Sequence, residues 1–170
     1  MPEKTEKKLP INIDELAFVL HRGPRLEMEC FLNLDTGAIV NVPTNRQFLK
    51  QVLDVDVDLI REDALMQMLL PKEGRFLHIP DQFSLHLFEL QSGFAEEIKR
   101  SYPKIYNRLW QLIQHEGIYD DFRQIIKEVQ GLNDRFIRFR DALYEKFALE
   151  WLEENKIEYS LINNSAHNST

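Results

Sequence analysis

The chain has 170 residues, 44% of them hydrophobic and 29% charged, the balance of an ordinary soluble globular protein with one domain and small appendages. Its formal net charge of -7 opposes sequence-independent attraction to phosphate backbones, which disfavours nucleic acid, and no window approaches the ~20 apolar residues of a membrane helix. A lone cysteine, Cys30, excludes an intrachain disulfide and points to a reducing compartment.

The N-terminal MPEKTEKKLP is basic without an apolar run behind it, so no signal peptide is expected and the reading is cytoplasmic. Residues 1–10 are read as a flexible segment, 11–160 as a single α+β domain, and 161–170 as a flexible tail. Asn12 followed by Glu15 has the spacing of a helix cap, and Ile13, Leu16, Ala17 and Leu20 make the apolar face of a helix that Gly23-Pro24 ends. In LEMECFLNL, Leu26, Met28, Cys30, Leu32 and Leu34 alternate with polar residues and Phe31. This period of two predicts a strand with the even-numbered residues buried. Asp35-Thr36-Gly37 is a turn signal and AIVNV the partner strand, so 26–42 reads as a hairpin. Thr44 and Gln47 predict a capped helix over 45–54, and Asp63 is expected to cap a second short helix that ends at Pro71 and Gly74. Residues 75–79 read as a third strand, stopped by Pro80.

The second half reads as helix throughout. Phe83, Leu87, Leu90, Phe94 and Ile98 form a stripe at spacings of three and four, interrupted by Gly93, which predicts a kink or close packing there. Ser101 and Pro103 are expected to open the next helix, which presents Ile105, Leu109, Leu112 and Ile113 and stops at Gly117. Tyr119, Phe122, Ile125, Ile126 and Val129 form a further face, closed by Gly131. The last helix carries Leu132, Phe136, Phe139, Leu143, Phe147 and Trp151 and ends near Asn155. The short turns between these helices predict antiparallel neighbours. The fold class is therefore α+β: a small antiparallel sheet, the hairpin 26–42 plus a strand near 75–79, packed with a mostly helical C-terminal half.

Three segments together, FLNLDTGAIVNV, RFLHIPDQFSLHLFELQSGF and the block from GIYDDF to WLEENKIEY, resemble Uncharacterised Protein Family 0158, small proteins found mainly in bacteria. The similarity covers roughly residues 13–160, and the order and spacing of the three blocks carry it. The resemblance implies a compact single α+β domain, and it implies neither an activity nor a cofactor. The chain has Asp120 and Asp121 where the family pattern is often basic, and Phe136 where it is often Trp.

Motifs with a defined chemistry are few. DVDVD, residues 54–58, begins like a calcium loop, but Leu59 stands where that loop needs Gly and Leu65 where it needs Glu. His21, His78, His86, His115 and His167 have no pair at helical metal-ligand spacing and no cysteine beside them, so neither a metal nor another cofactor is expected. Phosphate-loop and nucleophile-elbow glycine patterns are missing. Cys30 lies on the apolar face of its strand and reads as a small hydrophobe. Arg135, Arg138 and Arg140 interleave with Phe136 and Phe139 and are the candidate binding residues, a basic and aromatic patch of the kind that holds single-stranded nucleic acid. The same two rings fit the buried stripe, and Asp134 and Asp141 stand close enough in sequence to pair with these arginines.

The leading expectation is a cytoplasmic protein-interaction or regulatory binding domain with no recognisable catalytic motif, whose partner is another protein or a second copy. Its surplus of aromatic residues, eleven Phe and two Trp, supplies the surface. The alternative is an enzyme of unrecognised type acting on a small molecule through residues such as Glu29, Asp35, His78 and His86, brought together only by folding. Weak nucleic-acid binding through the three arginines is the third reading.

Overall fold

The computed structural model describes residues 8–53 and 61–162. In chain order the elements are β1 (Leu9–Ile11), α1 (Ile13–Leu20), β2 (Met28–Asn33), β3 (Ile39–Pro43), α2 (Arg46–Leu53), α3 (Glu62–Leu69), β4 (Phe76–Ile79), α4 (Phe83–Ile98), α5 (Pro103–Gln114), α6 (Tyr119–Lys127), α7 (Leu132–Glu154) and β5 (Tyr159–Leu161). The fold is α+β, as the sequence predicts. The chain divides into two compact units: Met1–Asp81 together with Ala148–Thr170, and Gln82–Phe147.

The first unit holds both sheets. In the three-stranded antiparallel sheet β2 is central, flanked by β3 and β4, with Cys30 opposite both Asn41 and Ile79. Cys30 and Leu32 are fully buried, as the alternation requires. Three details differ from the period-two reading. Phe31, on the opposite face, is also buried, Leu26 lies outside the strand and is exposed, and Leu34 lies past the strand's end and is only half-buried. The alternation ran past the strand's true start because residues 23–26 close a turn, with the Leu26 amide donating to the Gly23 carbonyl.

The hairpin turn is held by Asn33, whose Oδ1 accepts from the amides of Asp35 (2.8 Å) and Thr36 (3.2 Å). Gly37 then adopts φ +80°, and its backbone lies against β1 so closely that a Cβ there would sit 2.0 Å from the Pro10 carbonyl oxygen. β1 itself pairs in parallel with β5, Leu9 opposite Tyr159 and Ile11 opposite Leu161, so the two ends of the described chain are joined. Three residues are too few to show a period, and the sequence predicts neither strand.

Helix starts follow their local chemistry with small corrections. Asn12 caps α1, its Oδ1 accepting from the Glu15 amide at 3.2 Å. At α2 the cap is Asn45, not Thr44: Asn45 Oδ1 accepts from the Phe48 amide at 3.0 Å, while its Nδ2 donates to Glu27. Asp63 does not cap α3 but lies inside it, one residue after Glu62, with Arg61 at the cap position. Tyr102 rather than Ser101 precedes α5, and Pro103 opens its first turn, where the missing amide hydrogen costs nothing. The acidic run 54–58 lies outside the described residues.

In the second unit, α4, α5, α6 and the first part of α7 enclose one core built from the predicted stripes: Leu90, Phe94, Ile98, Leu109, Phe122 and Phe136 are fully buried. The rings meet edge-on, Phe94 to Phe136 at 5.1 Å and 81°, and Phe122 to Phe136 at 5.9 Å and 61°. Each buried ring contributes about 1.5–3 kcal/mol by leaving water. α4 runs unbroken through Gly93, where an added Cβ would come within 3.0 Å of the Phe139 ring. Close packing, not a kink, is therefore what this glycine serves.

Candidate functional site

The candidate acid–base residues separate into distinct settings. Arg22, just past the end of α1, is buried and satisfied on four sides. Its Nη1 donates to the carbonyls of Val19 (2.7 Å) and Ile79 (3.2 Å), Nε to that of Met28 (3.2 Å), and Nη2 to Glu29 Oε2 (3.3 Å). The guanidinium thus ties α1 to β2 and β4, a structural task. His78 Nε2 donates to the same Glu29 oxygen at 2.6 Å, and the His78 ring also leans on Phe31 at 5.3 Å between centroids. Of the residues named from sequence that lie in this unit, Glu29 and His78 meet directly. Cys30 is fully buried, and burial pushes its thiol up despite the opposing pull of Arg22. A small hollow of about 270 Å³ beside Arg22 is lined by Glu27, Glu29 and Asp81. Each carboxylate there has a partner: Asn45 Nδ2 for Glu27 (2.6 Å), Arg22 and His78 for Glu29, and the Gly23 amide for Asp81 (3.2 Å).

Asp35 belongs to a larger cleft of about 730 Å³ in the same unit. The cleft is bordered by β1, the hairpin turn, the start of β4 and the segment from the end of α7 into β5. Arg75 grips Asp35 through Nε (3.0 Å), Nη2 (2.9 Å) and its own amide (3.1 Å). The Arg75 side-chain hydrogen bond, helped by the Arg75 amide, holds the Asp35 carboxyl below its ordinary value. Lys8 and Lys156 also line the cleft. Lys156 sits at φ +57° because it closes α7 in a Schellman motif: the Ile157 amide donates to Leu152 and the Lys156 amide to Glu153, both at 3.0 Å. Nothing in sequence spacing marks Lys8, Arg75 and Lys156 as neighbours of one cleft. They stand just before β1, just before β4 and just after α7, far apart along the chain.

The remaining histidines have ordinary settings. His21 caps the end of α1 with Nδ1 2.9 Å from the Ala17 carbonyl, His86 stacks flat on Phe147 in the second unit at 3.6 Å between centroids, and His115 follows α5 in an exposed position. His167 lies outside the described residues. Among the described residues no group of three or more His, Cys, Asp or Glu could hold a metal ion.

The basic and aromatic run of α7 is divided by its own packing. Phe136 is fully buried and carries the Arg123 guanidinium 4.7 Å above its ring. Phe139 is half-buried and packs on Gly93. Arg135 lies along Glu97, with Nε 3.8 Å from its carboxylate, and Arg140 donates twice to Asp141 Oδ1, at 3.1 and 3.0 Å. Arg138 is exposed and makes no hydrogen bond or ion pair among the described residues. The three cations are thus brought to one helix, but the Phe136 ring beside them is turned into the core.

Exposed apolar surface occurs elsewhere. Phe122, Phe136, Phe147 and Trp151 are buried, whereas Leu85 and Phe88 of α4 and Ile118 before α6 face solvent. No described helix is long and apolar enough to cross a membrane.

Comparison with known proteins agrees with the segment resemblance. A Pseudomonas aeruginosa relative, UPF0158 protein PA5073, is 23% identical over 152 residues, which span 89% of this chain and 87% of that protein. No solved structure matches. The model of UPF0158, described as an uncharacterised protein family, matches residues 12–168, and the chain belongs to that family.

Proposed function

We propose that this chain is a non-catalytic binding domain of the bacterial cytoplasm, and that it meets a protein partner through apolar side chains at the N-terminal end of α4. One observation supports the reading. Leu85 and Phe88, one turn apart, are 72% and 64% exposed, while Leu90, Phe94 and Ile98 on the same helix are fully buried. Ile118, 65% exposed, precedes Tyr119, whose ring meets that of Phe83 edge-on at 5.5 Å, so a third apolar side chain stands near the same helix end. Grouped apolar side chains left in water, an aromatic among them, are the usual centre of a contact surface. The test is a pull-down from bacterial lysate with wild-type protein and a Leu85→Glu/Phe88→Glu variant, with analytical ultracentrifugation to detect a second copy. A retained partner that the variant loses, at unchanged circular dichroism, supports the reading. A monomer that retains nothing, or a partner held equally by the variant, refutes it.

A second reading, an enzyme acting on a small molecule, is favoured by the 2.6 Å contact between Glu29 and His78. A carboxylate that orients an imidazole leaves the other ring nitrogen to take or give a proton. Depletion of a compound from a metabolite extract by wild-type protein but not by His78→Gln protein would favour this reading over the first.

A further inference from the structure

We propose that the cleft between the hairpin turn and the β1–β5 pair binds a small amphipathic monoanion, an apolar body carrying one acidic group such as a carboxylate. Its volume of about 730 Å³ lies within the ~300–1,000 Å³ typical of small-molecule sites. Leu34, Leu77 and Ile157 line it and are only half-buried, so apolar surface stays wet inside a concave wall. An apolar ligand portion would cover that surface at about 25 cal/mol per Å².

The charges select the other end of the ligand. Among the described residues, five charged side chains line the cleft: Lys8, Asp35, Arg75, Lys156 and Glu158. Asp35 and Arg75 are spent on each other through a two-pronged bond. Lys8, Lys156 and Glu158 make no side-chain hydrogen bond or ion pair among the described residues. Among the described residues, two ammonium groups against one carboxylate leave one net positive charge at the cleft, inside a chain whose net charge is -7. One acidic group satisfies that excess. A polyanion would meet Glu158 and the field of the acidic chain.

The site is also tied to the fold. The backbone amide of Leu9 donates to Glu158 at 2.9 Å, so the same pairing that joins β1 to β5 sets the wall of the cleft between Lys8 and Glu158. Lys156 is held there by the helix-ending motif at φ +57°, a conformation that glycine would adopt at lower cost.

The experiment titrates the full ¹⁵N-labelled chain with octanoate, with 1-octanol as neutral isostere and inorganic phosphate as bare anion, and follows amide shifts. Expected is saturable octanoate binding that moves the amides of Leu9, Leu77 and Ile157, with octanol about tenfold weaker or worse, the value of one charge-assisted contact. A Lys8→Gln/Lys156→Gly variant should lose about tenfold in octanoate affinity and none for octanol; the second change also relieves backbone strain, so the variant folds. Shifts elsewhere, equal affinity for octanol, equal affinity in the double variant, or phosphate reproducing the octanoate shifts would each overturn the proposal.

Discussion

Replacing Gly37 by Ala tests how the hairpin turn seats β1. The added methyl meets two costs. A residue with a Cβ at φ +80° loses about 1–2 kcal/mol relative to glycine. The Cβ would also lie 2.0 Å from the Pro10 carbonyl oxygen, where ordinary contact begins near 3.4 Å, so the turn or β1 must move by more than 1 Å. Pro10 is backbone paired with β5 on its other side and cannot swing away as a side chain would. Displacement of this kind costs a further 1–3 kcal/mol or so. Gly131→Ala is the control, because Gly131 has φ +83° with no described atom within 4 Å of where a Cβ would lie, and bears only the first cost. Gly37→Ala should therefore lose about 2–5 kcal/mol and Gly131→Ala about 1–2, or melting drops of roughly 4–20 °C and 2–8 °C for a chain of this size. Urea titration and thermal scans read the totals. Amide exchange at Leu9 and Ile162, which bond to Glu158 and Ile11 across the β1–β5 pair, reads the local displacement. Equal losses at the two glycines, or unchanged exchange at Leu9 and Ile162, would refute the reasoning.

Lys156→Gly should raise stability by about 1 kcal/mol in urea titration, since it removes a side chain from the left-handed region at the end of α7. Stability should fall on the acid side for two identifiable carboxyls. Asp35 is held down by Arg75, and Glu128 by the two-pronged bond from Arg108 at 2.5 and 3.0 Å. A depressed folded-state pKa means the contribution is complete above the unfolded values of about 3.9 and 4.3 and is lost as pH falls through the lower folded values. Asp35→Asn and Glu128→Gln should each flatten the urea midpoint against pH below about pH 4 and leave its pH dependence above pH 6 unchanged. Cys30 should resist a thiol reagent such as DTNB in the native protein and react fully in urea, because its side chain is buried and its thiol is raised by that burial; fast native labelling would contradict its placement.

Local chemistry made much of this fold legible. Asn12 announces α1 because a cap bonds only three residues ahead, and Leu90, Phe94 and Ile98 announce a buried helix face because a turn repeats every 3.6 residues. The hairpin was readable for the same reason, since Asn33, Thr36 and Gly37 shape their own turn. Choices among adjacent candidates were not: Thr44 and Asn45 can both cap, and only the path into α2 selects Asn45. The β1–β5 pairing left no trace, because each strand is three residues long and its partner lies about 150 residues away. The same holds for the Asp35–Arg75 pair and for Lys8 and Lys156 at one cleft. Periodicity records which side of an element avoids water. It carries no record of which distant elements close on each other, because that is decided by packing among surfaces the chain brings together only when folded.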